Sequence, residues 1–165
     1  MSDMYSELLV PRRSVRSEQA IRIALIVVTA IVTAAGLVFN MYLLIGALAL
    51  GIVDFFLFPR FNVEYEYQYM NGEINIDKIF SKSKRKKVTS IDLSNVECVA
   101  PLGSHHLDSY GVGYTVEDYS SMDPENPPYV LVKVDGANRK KIYLQFDDTI
   151  LNDLKMRLPR KVFTD

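Results

Sequence analysis

The sequence has one cysteine, Cys98, and no tryptophan in 165 residues. A single cysteine excludes the internal disulfide framework on which many small secreted domains depend. The formal net charge is only −1, which excludes a general attraction to nucleic acid. Charge is also scarce locally, because Asp54 is the only charged side chain between residues 23 and 58. This segregation excludes both a disordered chain and a uniformly packed soluble globule.

The uncharged stretch predicts two membrane spans. Residues 23–39 form one apolar run, Asn40 interrupts it, and residues 41–58 form a second run. A single helix over both runs would be about 54 Å long, whereas the core of a bilayer is about 30 Å thick. We therefore expect a transmembrane helical hairpin within residues 21–59, with spans at about 21–39 and 41–58 and a turn near residues 36–41.

Two other interpretations of the apolar stretch are weaker. A buried helical hairpin in a soluble core would need more protein around it than this chain provides. A cleaved signal peptide would fit the arginines before Ile23 and the small residues 34–36, but a second apolar run follows at once, which a secretory signal does not need.

Basic residues predict the orientation of the spans. Four arginines precede the first span, Arg60 and a lysine-rich run follow the second, and the turn has no basic residue. Positive charge on both outer flanks favours a multi-pass protein of the cell membrane with both termini in the cytoplasm.

Asp54 is the candidate functional residue inside the membrane. A carboxylate at the centre of a span costs roughly 2.5 to 3.5 kcal/mol on the insertion scale and marks a functional site by default. Because Asp54 lies only four residues before Phe58, we expect it to reach the cytoplasmic headgroups beside Arg60 rather than to line an ion path.

The first 20 residues are expected to form a cytoplasmic N-terminal segment. Met4, Tyr5, Leu8 and Leu9 recur at helical spacing, which indicates a short helix on the membrane surface. A segment without regular structure up to about Ser17 remains an equal alternative, because so short a helix is marginal in water.

Residues 60–165 are expected to form a mainly-β cytoplasmic domain. From Asn62 apolar and polar residues alternate, and Asn71-Gly72 is a strong hairpin signal. Further strands are predicted at residues 73–80, 88–93 and 96–100, and a second hairpin joins residues 129–134 and 141–146. The chain ends in an amphipathic helix that begins after Asp147 or Asp148 and stops at Pro159.

The segment EYEYQYMNGEINIDKIFSKSKRKKVTSIDLSNVE, residues 64–97, resembles the opening of bacterial PH-like domains. Two spans followed by such a domain are similar to a bacterial family of small membrane proteins, over roughly residues 20–160. The resemblance implies a PH-like antiparallel β roll or barrel closed by a C-terminal helix, and no catalytic residue. The long stretch from residue 102 to residue 128, which has few strand signals, departs from that pattern.

Five cations are predicted to share the hairpin loop SKSKRKK, residues 81–87. Contact with anionic lipid headgroups would contribute about 1 kcal/mol per cation near a charged leaflet. A solvated loop that only reinforces the topology remains open, and nucleic acid is disfavoured because no aromatic residue interrupts the run. The candidate lipid-binding residues are Lys82, Lys84, Arg85, Lys86 and Lys87.

The long stretch 102–128 predicts neither a cofactor site nor a metal site. Gly111-Val112-Gly113 lacks the third glycine of a dinucleotide fingerprint. His105, His106 and Asp108, with Cys98, are a weak metal candidate, because adjacent residues of an extended chain point in opposite directions. An enzyme that uses this group is the least favoured hypothesis, and Cys98 is expected to be a buried apolar residue.

The leading hypothesis is therefore a non-enzymatic integral membrane protein. Its cytoplasmic domain would bind an unidentified protein partner and, at the basic loop, anionic lipid headgroups. The alternative is a small subunit or homo-oligomer of a membrane transport or cell-envelope complex, in which the hairpin acts. Small residues in both spans, such as Ala34 and Gly51, permit close helix packing within one chain or between copies.

Overall fold

The computed structural model describes residues 5–136 and 138–165, and the chain divides into two compact units. One unit is the helical segment Ser14–Val63. The other combines the residues up to Arg13 with Glu64–Asp165. The β-rich unit is therefore discontinuous in sequence, because the helical segment is inserted after its first strand.

The helical unit consists of α1, Arg16–Val38, and α2, Tyr42–Phe61, which pack against each other. Both are long and apolar enough to cross a membrane, so the two predicted apolar helices are confirmed. α2 continues through Pro59 to Phe61, beyond the expected end of the second span at about residue 58. A proline removes one hydrogen bond to the preceding turn. Pro59 lies two residues before the end of α2, where this loss is tolerated.

The first sheet has the order β1-β2-β3-β4. Asn71 and Gly72 join β2 to β3 with φ values of 52° and 84°, the left-handed conformation that an Asn-Gly hairpin turn requires. The predicted first hairpin is therefore present. The four strands are β1 Tyr5–Pro11, β2 Val63–Met70, β3 Glu73–Phe80 and β4 Lys84–Asp92.

The N-terminal residues form a strand rather than the expected helix or irregular segment. β1 pairs antiparallel with β2 in a regular register from Tyr5–Met70 to Pro11–Glu64. Val10 is buried, which fits the alternation of a strand. The boundary predicted at residue 20 is therefore wrong for these residues, which belong to the β-rich unit. Met4, the first residue of the predicted helical pattern, lies outside the described residues.

The second sheet has the order β5-β7-β8-β6. β7 and β8 form the predicted second hairpin, and Ala137 in its turn lies outside the described residues. β6 pairs with β8 in parallel. This one pair departs from the expectation that all strands pair antiparallel. Its strands are β5 Val96–Pro101, β6 Thr115–Asp118, β7 Tyr129–Asp135 and β8 Asn138–Leu144.

The last helix, α3, Asp148–Arg157, confirms the expected C-terminal helix. The Asp147 carboxylate caps it by accepting a hydrogen bond of 2.8 Å from the Ile150 N–H. Its apolar stripe is buried at Ile150 and Leu154. The largest fully buried side chains of the β-rich unit include Tyr67, Tyr69, Ile74, Ile76, Ile91, Leu131, Ile142 and Leu144.

The long stretch 102–128 contains regular structure. Besides β6, it has a 3-10 turn at His105–Leu107. Leu107, Tyr110 and Tyr114 pack against a cluster on one face of the second sheet that includes Cys98 and Val130. This stretch therefore covers a sheet face that would otherwise meet solvent.

Candidate functional site

The five predicted lipid-binding cations do not share a loop. Only Lys82 lies in the turn between β3 and β4, where its φ is 58°. Lys84 to Lys87 belong to β4 and pair with β3. The expectation of a basic loop is corrected here: pairing with β3 extends β4 through residues whose own β propensity is low.

Strand geometry divides these cations between two faces. Arg85 lies opposite Ile79, and Lys87 lies opposite Asp77. Arg85 Nη2 contacts Glu66 Oε1 at 2.7 Å, so its charge is compensated within the sheet. The remaining cations of β4, Lys84 and Lys86, lie on the other face because successive strand residues alternate.

Lys78 joins Lys84 and Lys86 on that face. The register places Lys78 opposite Lys86, and Phe80 opposite Lys84. The Lys78 ammonium lies 5.0 Å from the centroid of the Phe80 ring, a cation–π distance. Lys78 was not predicted from the sequence as a site residue. Its position two residues before Phe80 on a strand does indicate that the two side chains share a face. We call Lys78, Lys82, Lys84 and Lys86 the basic tip.

The basic tip lies at one particular end of the first sheet. β1 runs toward α1 and β2 returns from α2, so Pro11 and Glu64 mark the end from which the chain leaves for the helices. The turn at Asn71–Gly72 is at the opposite end. β3 then runs back, so the turn that contains Lys82 lies at the same end as Pro11 and Glu64.

Asp54 contacts α1 rather than the expected Arg60. Thr29 donates a hydrogen bond of 2.7 Å from Oγ1 to Asp54 Oδ2. The Asp54 side chain is only 7% exposed, and its Oδ1 is buried without a partner among the described residues. The predicted interfacial carboxylate therefore lies within the contact between the two helices.

A family model described as a bacterial PH-like domain (DUF6106) matches residues 2–164. This chain belongs to that family. The match confirms the resemblance seen in the sequence and, together with the two apolar helices, the architecture of a two-helix membrane protein with a PH-like domain. Neither a curated protein nor a solved structure matches the chain. PH-like domains are generally non-catalytic.

The outward face of the first sheet in this PH-like domain is acidic. Glu66 is buried, and burial raises the pKa of its carboxyl group. A hydrogen bond with Glu7 raises this pKa further, whereas Arg85 lowers it. This pair places two carboxyl groups beside the single guanidinium of Arg85, so it is a local excess of acid.

The two histidines of the PH-like domain pack against other rings at its surface, and its cysteine is buried. The His106 ring stacks on Phe163 with centroids 3.6 Å apart, and the His105 ring lies 4.0 Å from that of His106. Burial raises the pKa of the Cys98 thiol, which disfavours the reactive thiolate. Within residues 5–136 and 138–165, no group of three metal-ligating side chains occurs.

Proposed function

We propose that this chain is a membrane-anchored, non-catalytic binding protein of the cell membrane, with both termini and the PH-like domain in the cytoplasm. The basic tip contacts anionic lipid headgroups and orients the domain, and another surface of the domain binds a protein partner. The observation that carries this proposal is the position of the basic tip, at the end of the sheet from which the chain leaves for α1 and α2.

Short connections support this proposal. Residues 12–15 join β1 to α1, and Asn62 alone joins α2 to β2. Four extended residues span at most about 14 Å, so these connections leave little chain between the last residues of β1 and the first residues of α1. A lysine near an anionic leaflet contributes about 1 kcal/mol. Several such lysines are enough to orient a domain that the helices already hold at the membrane.

The pairing of β1 with β2 supports the proposed topology. Neighbouring strands lie on the same side of a membrane, so Pro11 and Glu64 favour a hairpin whose two ends emerge together. The basic residues on both flanks then favour the cytoplasmic side.

Two observations support a binding role rather than catalysis. The family is one of generally non-catalytic domains. In the described part of the chain, both histidines pack with other rings, and the thiol of Cys98 is buried. The buried thiol is therefore not the accessible nucleophile that covalent catalysis needs.

A hydrogen–deuterium exchange experiment tests the lipid contact. The full chain is placed in nanodiscs of zwitterionic lipid, or in nanodiscs that also contain phosphatidylglycerol. We expect slower amide exchange at residues 80–88 with the anionic lipid, and loss of this protection at 1 M salt, where the Debye length falls to about 3 Å.

Matched variants make this test specific. Lys84→Gln with Lys86→Gln removes two cations of the basic tip. Lys155→Gln with Arg160→Gln removes two cations near the end of α3, whose Arg157 lies beside Gly72 at the opposite end of the sheet. The first pair should abolish the protection and the second should preserve it. Equal protection of residues 80–88 from exchange in both lipids would refute the lipid contact. Equal effects of the two double variants on that protection would also refute it.

Asp54 favours a second candidate function, in which the chain is a small subunit or homo-oligomer of a membrane transport or envelope complex and acts through the hairpin. A buried carboxylate with a single hydrogen-bond donor among apolar helices is costly and is usually functional. This candidate predicts that cross-links between copies map to α1 and α2 and disappear in Asp54→Asn. If Asp54→Asn leaves both the cross-links and the growth of the producing cells unchanged, this second candidate function is eliminated.

A further inference from the structure

The two edge strands of the first sheet differ in their protection against pairing. β4 has four consecutive cations at its start and a register shift opposite Ile76 and Asp77. Lysines and bulges are the means by which edge strands avoid pairing with other chains. β1 has the sequence YSELLVP with no lysine or arginine, and its register against β2 is regular. β1 thus lacks both of these features. Its only charged residue is Glu7, and its proline, Pro11, stands at the last position of the strand.

The edges of the second sheet are covered or short. The β5 edge is covered by the C-terminal residues, because Val99 N donates to the Lys161 carbonyl at 2.7 Å and Phe163 N donates to the Val99 carbonyl at 2.8 Å. β6 has only four residues. Among the described strands, β1 is therefore the long edge that has no cation and is not covered by another strand.

A groove of about 640 Å³ borders the second half of β1 and the two arginines that follow it, Arg12 and Arg13. One wall is the strand itself from Leu8 to Pro11, and the other includes Asp123, Asn126 and Phe146. This volume lies within the range of about 300–1,000 Å³ that is typical of binding clefts. The second half of β1 therefore borders a space that an extended segment can enter.

The side chains beside this edge indicate what such a segment would carry. Tyr5, Glu7 and Leu9 alternate on the outward face, and Tyr5 and Leu9 are 59% and 51% exposed. Glu7 is in contact with the buried Glu66. Cross-strand neighbours lie about 4.5–5.5 Å apart at Cβ. A lysine or arginine opposite Glu7 would therefore compensate the excess acid, with apolar residues opposite Tyr5 and Leu9.

We propose that β1 is the docking edge for an extended segment of a partner protein that carries a basic residue flanked, two positions away on each side, by apolar residues. Strand addition supplies the main-chain hydrogen bonds, and the alternating side chains supply the specificity. This inference rests on the protein-binding part of the proposed function and names the class of partner.

A synthetic peptide of alternating threonine and apolar or basic residues (Thr-Val-Thr-Lys-Thr-Val-Thr) is the probe, added to the full chain in nanodiscs of zwitterionic lipid. We expect slower hydrogen exchange at residues 5–11 and no change at β4. The same peptide with glutamate in place of lysine should bind at least fivefold more weakly. A version N-methylated at alternate backbone positions should not bind, because it cannot donate the ladder hydrogen bonds.

Matched variants locate the site. Glu7→Lys should weaken peptide binding at least fivefold, whereas Glu97→Lys, the same change on the covered strand β5, should leave it unchanged. Leu9→Lys places on β1 the kind of residue that protects β4 and should also weaken binding, while Val112→Lys at a fully exposed position should not.

Three results would overturn the inference: undiminished binding of the N-methylated peptide, protection at β4 instead of β1, or cross-links that show β1 paired with a second copy of the chain. Failure here is distinguishable from failure of the lipid contact. The peptide assay uses no anionic lipid, and Lys84→Gln with Lys86→Gln should leave peptide binding unchanged.

Discussion

Pro11 lies directly opposite Glu64 in the antiparallel pair of β1 and β2, although both apolar helices separate the two residues in sequence. The helical hairpin thus stands where a short turn would join two neighbouring strands. It follows that the PH-like domain includes residues that precede the helices. The domain is complete only when the N-terminal strand has paired with β2, which is a long-range contact in sequence.

Substitutions in β1 test this integration. Val10 is 4% exposed, whereas its neighbour Leu9 is half exposed. Val10→Asp would bury an unpaired charge, and we expect it to lower the free energy of unfolding by about 3 kcal/mol or more. Leu9→Asp should cost less than about 1 kcal/mol. Urea unfolding of the full chain in detergent, followed by tyrosine fluorescence, measures both. Equal, small effects would show that the N-terminus is a separate tail.

A buried polar network fastens β2 to α3. The Tyr69 hydroxyl donates to the Asp153 carboxylate, which also accepts a hydrogen bond of 2.7 Å from Arg157 Nε. Asp153→Asn should destabilise the domain by about 1–3 kcal/mol, because it removes the charged acceptor of two hydrogen bonds from a partly buried ion pair. The exposed Asp148→Asn should cost less than about 1 kcal/mol. Denaturant unfolding compares the two, and equal losses would contradict a specific role of the network.

The same network predicts a pH dependence. Burial on its own would raise the pKa of Asp153, but hydrogen bonds from Tyr69 and Arg157 lower it below the ordinary aspartate value of 3.8. A carboxyl group with a lowered pKa in the folded state stabilises the fold above its unfolded pKa, and this contribution disappears as the pH falls through the folded value. The difference in unfolding free energy between the native chain and Asp153→Asn should therefore shrink below about pH 4. A constant difference from pH 6 to pH 3 would disprove this assignment.

Close packing of the two helices depends on Gly36. A Cβ atom at this position would lie 2.7 Å from Leu44 Cδ2 and 3.1 Å from the Leu44 backbone N, whereas a Cβ at Gly46 would have no neighbour within 4 Å. Gly36→Ala should therefore loosen the hairpin, and Gly46→Ala should not, since alanine also favours a helix. Titration with sodium dodecyl sulfate, followed by circular dichroism, compares the variants. A Gly36→Ala hairpin as resistant as the native one would rule out this close contact.

Local patterns in the sequence were sufficient to predict the two apolar helices, the Asn71–Gly72 turn and α3. Each depends on hydropathy, turn chemistry or capping within a few residues. β1 was missed because Leu8, Leu9 and Val10 are consecutive apolar residues that hide the alternation, and because its partner strand follows both helices in sequence. A pairing that distant leaves no local signal.

The candidate site was predictable only in part. The run from Lys82 to Lys87 was recognised as basic, but its division between two faces depends on the register of β4 against β3. The same register places Lys78 beside Lys86 in the basic tip. It also places Arg85 where Glu66 compensates its charge. The contact of Asp54 with Thr29 likewise depends on the relative rotation of α1 and α2, which hydropathy does not determine.

Cysteine labelling tests the proposed cytoplasmic location of the PH-like domain. Cys98 is buried and the pKa of its thiol is raised, so the native chain should label slowly even after lysis and serves as the background. Val112→Cys places a thiol at a position that is 98% exposed, and Asn40→Cys places one in the turn between the helices. In intact cells a membrane-impermeant maleimide should label Asn40→Cys and not Val112→Cys, and lysis should expose both. Labelling of Val112→Cys in intact cells would place the domain outside and remove the anionic inner leaflet as its ligand.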